Sequence, residues 1–129
     1  MVLKIIDATQ TKTGTNILID GISCTVKNID ISKTGKHGHA KCRIEAVGII
    51  NGQKKVFVVP GHERFEVPMV EKRKAQVLSK SEHRASVMDL ENFETLEIPA
   101  SDEILGELVE GENCEYWDVE GEKIIKRKL

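Results

Sequence analysis

Along the first 68 residues apolar and polar positions alternate in short runs divided by turn-forming pairs, a strand pattern and not a helical one. Leu3 to Asp7 predicts a first strand, and the Thr-rich Ala8 to Gly14 a turn or a single helical turn. Asn16 to Ile19, Asp20-Gly21 and Ile22 to Val26 predict a hairpin, since Asp-Gly readily fills a two-residue type I′ turn. Two longer arms, Ile22 to Ile31 and Cys42 to Ile50, enclose the polar run Ser32 to Lys41 and predict a long hairpin with its tip in water. Asn51-Gly52 turns the chain into Lys55 to Val59, Pro60-Gly61 breaks that strand, and Arg64 to Val67 ends at Pro68. Short strands with hairpin turns and no convincing helix imply a closed or nearly closed barrel.

The pattern resumes after Pro68-Met69-Val70-Glu71. Lys74 to Leu78 is expected as a strand, Ser79 to Arg84 as a polar turn, and Ala85 to Leu90 and Thr95 to Ile98 as strands. Ser101 followed by Asp102 and Glu103 reads as an N-capped helical turn with acids in its first turn. Glu115 to Val119 and Lys123 to Arg127 form a final hairpin around Glu120-Gly121. Five strands with one short helix fit a five-stranded barrel of the OB type. The chain is therefore expected to be all-β, with two small barrels at 1–69 and 70–129. No Gly/Ser-rich linker separates them. Tyr116 and Trp117 are neighbours on a strand, so they point to opposite faces, and one of the two is expected in the core.

Charge supports the division. Residues 1–69 hold ten Lys/Arg and six Asp/Glu, whereas 70–129 hold nine and fifteen. From Ala85 to Glu122 there are thirteen acids and no Lys or Arg. The basic first half is the better candidate for phosphate contact, and the acidic stretch reads as a solvated face. Neither a membrane span nor a secretory signal is visible in the sequence. Cys24, Cys42 and Cys114 are sparse, odd in number and contain no C-x-x-C, which fits reduced, buried thiols in a cytoplasmic protein.

The candidate chemistry lies in Ser32-Lys33-Thr34-Gly35-Lys36-His37-Gly38-His39-Ala40-Lys41. Gly35 and Gly38 flank Lys36-His37 and relieve the tip, leaving Lys36 at the apex with Lys33, Lys41 and Arg43 nearby. A phosphate-binding P-loop is excluded. Asp30 stands where its first glycine belongs, His37 stands where Ser or Thr must follow the lysine, and strand pattern follows instead of helix. His37, His39 and Cys42 give H-x-H-x-x-C, which lacks a clear fourth metal ligand. His62 and His83 stand alone in presumed turns, and no Ser/His/Asp grouping appears.

This ten-residue run resembles the signature loop of the translation factor 5A family of archaea and eukaryotes. The likeness extends to Leu18-Ile19-Asp20-Gly21, Val67-Pro68, Val87-Met88-Asp89-Leu90, Glu94-Thr95-Leu96 and Glu115-Tyr116-Trp117, nearly the whole chain. It implies an SH3-like barrel followed by a cold-shock-like OB-fold. It also implies that Lys36 becomes deoxyhypusine or hypusine when deoxyhypusine synthase transfers an aminobutyl group from spermidine. Lys33, Thr34, Gly35, His37, Gly38 and His39 would then form the loop that enzyme recognises, and Lys33, Lys36, Lys41 and Arg43 would contact RNA. The implied partners are the ribosome and peptidyl-tRNA, with the modified lysine favouring peptide-bond formation at stalled sites, and termination. The protein is then a monomeric cytoplasmic factor, not an enzyme, with no cofactor, metal or membrane. The compact length suits the archaeal branch, and bacterial elongation factor P is related but carries a third domain and a different tip. Two rivals remain at this point: an unmodified two-barrel RNA-binding module using the same cations, and a metal-dependent hydrolase using the histidines.

Overall fold

A computed structural model describes residues 2–33 and 40–129. Its backbone divides between Met69 and Val70 into two compact units. Both are built almost wholly of strands.

The first unit contains β1 (Val2–Asp7), β2 (Asn16–Ile19), β3 (Ile22–Lys33), β4 (Ala40–Gly48), β5 (Lys54–Pro60) and β6 (Arg64–Pro68). The antiparallel order β2-β3-β4-β5 makes one sheet, and β1 pairs with β6 in a second. A single 3-10 turn, Ala8–Gln10, follows β1. The β2–β3 turn is Asp20-Gly21, with φ of 51° and 77°, the double positive φ that a type I′ hairpin requires. Strand alternation turns Ile17, Cys24, Val26, Cys42, Ile44, Ala46 and Phe65 inward as a buried core. Phe57 closes one side, its ring 5.9 Å from that of Phe65 in an edge-to-face arrangement.

The second unit contains β7 (Val70–Ser81), β8 (Arg84–Asp89), β9 (Thr95–Pro99), α1 (Asp102–Glu107), β10 (Asn113–Val119) and β11 (Glu122–Lys128). The sheet order is β11-β10-β7-β8-β9. Edge strands β9 and β11 approach one another, which curls the sheet into a barrel open at one seam. Ala75, Val77, Ala85, Val87, Ile98, Leu108, Cys114, Tyr116 and Ile125 fill it. Ser101 caps α1 by accepting the Ile104 N–H at 3.3 Å. At the other end Lys80 Nζ donates to the carbonyls of Leu105 (3.0 Å) and Leu108 (2.8 Å), a cation placed on the negative end of the helix.

The all-β class, the short helix and both Asp/Glu-Gly hairpins agree with the sequence reading, and two details differ. Strand β7 runs for 12 residues instead of five, because its polar ends pair with β10 and β8. The expected turn at Ser79 to Arg84 therefore shrinks to Glu82-His83. Likewise β3 and β4 pair as far as Lys33 and Ala40, so the loop between them is shorter than Ser32 to Lys41. The expectation that Tyr116 and Trp117 face opposite ways with one of them in the core holds, and the other is covered as well. Tyr116 fills the core, whereas Trp117, on the outer face, lies under the Lys72 and Lys126 side chains, with their Nζ atoms 4.7 and 5.3 Å from its ring centre.

Candidate functional site

The hairpin β3–β4 is the outstanding feature of the first unit. Its inner half is core: Cys24 and Val26 on β3, and Ile44 and Ala46 on β4, are fully buried. A β-bulge between Val26 and Asn28 bends the ribbon there. Beyond it Ile29 still touches the core, but Asp30 to Lys33 are exposed, and even Ile31 is 49% exposed. At about 3.3 Å per residue, the six residues Asn28 to Lys33 carry β3 about 20 Å along its course.

The base of the tip is held on one side. Gly61 N–H donates to the Ala40 carbonyl at 2.8 Å, and Thr9 N–H donates to the Gly61 carbonyl at 3.3 Å. A Cβ on Gly61 would lie 2.8 Å from Thr9 Cγ2 and 3.0 Å from Ala40 Cβ, so only glycine permits this approach. The sequence showed Pro60-Gly61 only as a strand breaker; its second role as a brace for the start of β4 depends on a contact between distant segments.

Of the candidate residues, Thr34, Gly35, Lys36, His37, Gly38 and His39 lie outside the described residues. The cations on the arms are described, and they separate. Lys41 stands opposite Ser32, and Arg43 opposite Asp30, so both occupy the outer face of the ribbon. Lys33 pairs with Ala40 and shares the face of Ile31 and Cys42, the opposite one. All three cations are exposed. Arg43 contacts Glu45 at 3.3 Å, an ion pair open to water and of small energetic weight.

Of the residues behind the metal-dependent hydrolase reading, His37 and His39 lie outside the described residues, and the described ones do not assemble. Cys42 is fully buried among core side chains, and burial pushes its thiol pKa up. Among the described residues no three His, Cys, Asp or Glu side chains gather to hold a metal ion. His83 Nδ1 lies 3.1 Å from Asp102 Oδ1, an exposed surface pair on the second unit.

One cluster escaped the sequence reading. Asp89, fully buried at the end of β8, accepts from Arg73 Nε at 2.7 Å and Nη2 at 3.2 Å. It also accepts the Tyr116 hydroxyl and the backbone N–H groups of Glu91 (2.8 Å) and Asn92 (3.2 Å). The Arg73 guanidinium, above all, holds the Asp89 carboxyl well below the usual carboxylate range, against the cost of burial. Burial, reinforced by Asp89, pushes Tyr116 up to about 12. Three residues from three strands are joined there, which only the fold reveals.

Two small β-units, the first with basic residues on its β3–β4 hairpin, define a two-domain all-β factor. Residues 4–62 match the family model described as translation initiation factor 5A-like, N-terminal. Translation initiation factor 5A of Caldivirga maquilingensis is 48% identical over 119 residues, covering 90% of each chain. That of Thermococcus onnurineus is 42% identical over 128 residues, covering 95% of this chain and 94% of the other. Among solved structures, the translation initiation factor 5A of Methanococcus jannaschii superposes with a TM-score of 0.83 at 39% identity, covering 98% of this chain and 94% of that one. A relative from Naegleria fowleri gives 0.75 at 29% identity over the whole of both chains. The chain belongs to the translation initiation factor 5A family. Its relatives bear the name of a translation factor, not of an enzyme. No helix among the described residues is long and apolar enough to cross a membrane.

Proposed function

We propose that the protein acts at the ribosome beside the peptidyl-tRNA, and that it acts through deoxyhypusine or hypusine at Lys36. One observation supports this reading: the sequence run Ser32 to Lys41, with Lys36 between glycines, joins β3 and β4, and the last four residues of β3, Asp30 to Lys33, are exposed and outside the core. An aminobutyl extension lengthens the lysine, adds a second cationic amine and keeps the profile slender. Such a group can enter a gap between nucleotides and meet phosphate or ribose oxygens, where a guanidinium fork is too broad. It holds the acceptor end in a productive geometry for peptide-bond formation at stalled sites and for termination, so the gain is positional and the chemistry stays with the ribosome. Deoxyhypusine synthase, drawing on spermidine, is the modifying enzyme, and Lys33 with Thr34, Gly35, His37, Gly38 and His39 forms the segment it grips. Lys33, Lys41 and Arg43 add phosphate contacts from both faces of the arm. The factor works as a cytoplasmic monomer without metal or cofactor.

The test is Lys36→Arg as the sole copy in the host. The substitution keeps the charge and leaves the barrel untouched, so the variant should melt with the wild type and yet fail to support growth or relieve stalling. Normal growth of that strain would reduce the loop to an unmodified phosphate contact.

A further inference from the structure

Strand β5 ends the sheet order β2-β3-β4-β5, so only one of its sides is paired. The phase of that pairing is fixed at both ends. Gly61 N–H donates to the Ala40 carbonyl at 2.8 Å, and Gly48 N–H donates to the Gln53 carbonyl at 2.9 Å. Between them, alternation turns the N–H and C=O groups of Lys55, Phe57 and Val59 toward β4. Those of Lys54, Val56 and Val58 face the other way, where no strand among the described residues pairs with them. Sheet edges are commonly guarded by lysine or proline. Lys54 and Pro60 guard the two ends of this one, but its middle carries Val56 and Val58, 46% and 62% exposed. Beside the edge runs a groove of about 620 Å³, lined by both edge strands of the sheet and by β6. Leu18 and Ile19 of β2, Phe57 and Val59 of β5 and Phe65 of β6 make it apolar. Lys55 contacts Asp20 at 3.9 Å on its rim, which leaves that pair neutral.

We infer that the free edge of β5 and the groove beside it dock a short, extended, acidic segment of another protein, which adds to the sheet as a further strand. Its backbone pairs with Val56 and Val58, and its alternate side chains enter the groove or cover the two valines. A small molecule would leave the repeating N–H and C=O groups of the edge unmatched, whereas an extended peptide repeats at the same spacing. Charge selects an acidic segment. Lys54 shares the outer face with Val56 and Val58, and Arg43 stands opposite Val58 on that face. Glu45 is the one acid in that row of β4, and it lies between both cations, at 3.3 Å from Arg43 and 3.9 Å from Lys54. The surface therefore keeps a positive excess. A second copy of the chain fits less well, because edge-to-edge pairing would bring together two units that each hold ten Lys/Arg against six Asp/Glu.

The experiment titrates the full chain into a fluorescein-labelled peptide, Thr-Val-Leu-Val-Thr-Glu-Glu, and follows anisotropy. Paired antiparallel to β5, this sequence sets its leucine opposite Phe57, its second valine opposite Val56 and its first glutamate opposite Lys54. Saturable binding with a Kd below about 1 mM is expected. The same peptide N-methylated at its second valine keeps every side chain but loses one backbone donor, and should bind at least about tenfold more weakly. Val58→Pro removes an N–H from the unpaired side alone, as Pro60 already does two residues on, and should weaken binding to the same degree. Val58→Glu should do so as well, by repelling the acidic peptide at an exposed position, and serves if circular dichroism shows the proline variant to be unfolded. Val109→Glu, on the second unit, should bind as the wild type does. No binding up to about 1 mM, equal binding of the N-methylated peptide, or unchanged affinity in both Val58 variants would each overturn the site. A concentration-dependent dimer in sedimentation velocity, abolished by Val58→Glu, would assign the edge to a second copy and overturn the peptide. The ribosomal reading stands apart from these results, since it turns on the state of Lys36.

Discussion

Two strand ends in this molecule are built in opposite ways. At the end of β8, Asp89 gathers five hydrogen bonds from Arg73, Tyr116, Glu91 and Asn92 and is sealed from solvent. At the end of β3, the strand leaves the core after Ile29, and its outer residues Asp30 to Lys33 are exposed and held by pairing with β4, which is itself backed by β5 as far as Lys41 and by the Gly61 brace on Ala40. One end is dense and internally satisfied, so changes there act on folding. The other is an extension that the core does not require, so its residues are free to be selected for what they touch. The division teaches that a change at Asp89 should unfold the protein before it affects the tip, and a change near the tip should affect function before it affects stability.

The largest stability effect expected is for Asp89→Ala. It removes the buried partner of the Arg73 guanidinium, leaving it only the exposed Glu71 and Glu91, and takes the acceptor from a hydroxyl and two N–H groups at once; loss of one partner from a buried ionic network costs about 3–5 kcal/mol. Urea unfolding should show that loss, and a change below about 1 kcal/mol would remove Asp89 from the centre of the second unit. Gly61→Val comes next, at about 1–3 kcal/mol, because its side chain must displace Thr9 or Ala40. Unlike Asp89→Ala it should also slow modification of Lys36 in a purified deoxyhypusine synthase assay, since it disturbs the root of the arm. Modification at the wild-type rate would show that the brace does not matter to the tip.

The pH dependence follows from the same network. Because Asp89 has a lowered pKa in the folded state, its contribution is whole above the ordinary carboxylate value of 3.8 and is lost as pH falls below that. Tyr116 is raised, so its contribution is whole below the ordinary 10.0 and is lost as pH rises through about 12. Melting temperature should therefore be flat in between, and Tyr116→Phe should flatten the alkaline limb and, by removing one donor to Asp89, shrink the acid limb by a smaller amount, since Arg73 is the larger cause there. The smallest effect belongs to the arm: Ile31→Ser, at a half-exposed position beyond the core, should change stability by no more than about 0.5 kcal/mol. A cost several times larger would mean that the arm is packed like the rest of the barrel.

Much of this was legible in the sequence. Period-two alternation and the Asp20-Gly21, Asn51-Gly52 and Glu120-Gly121 pairs mark nearly every strand, because hairpin geometry is local. Ser101 likewise announced α1. Long-range pairing was not legible: the polar ends of β7 look like loop until β10 and β8 are placed beside them, and Lys80 has no sequence signal as the cap of α1. At the candidate site the motif around Lys36 stood out from residues alone, whereas the splitting of Lys33 from Lys41 and Arg43 required the register. Trp117 was harder still, because its cover comes from lysines at positions 72 and 126, which alternation along β10 cannot reveal.

The measurement that bears most directly on the account is tandem mass spectrometry of the protein purified from its native host, reading the peptide that spans Lys36. An aminobutyl group on Lys36, with or without a further oxygen, is the predicted result and separates hypusine from deoxyhypusine. An unmodified Lys36 in native material would contradict the account and leave the hairpin as a plain basic arm.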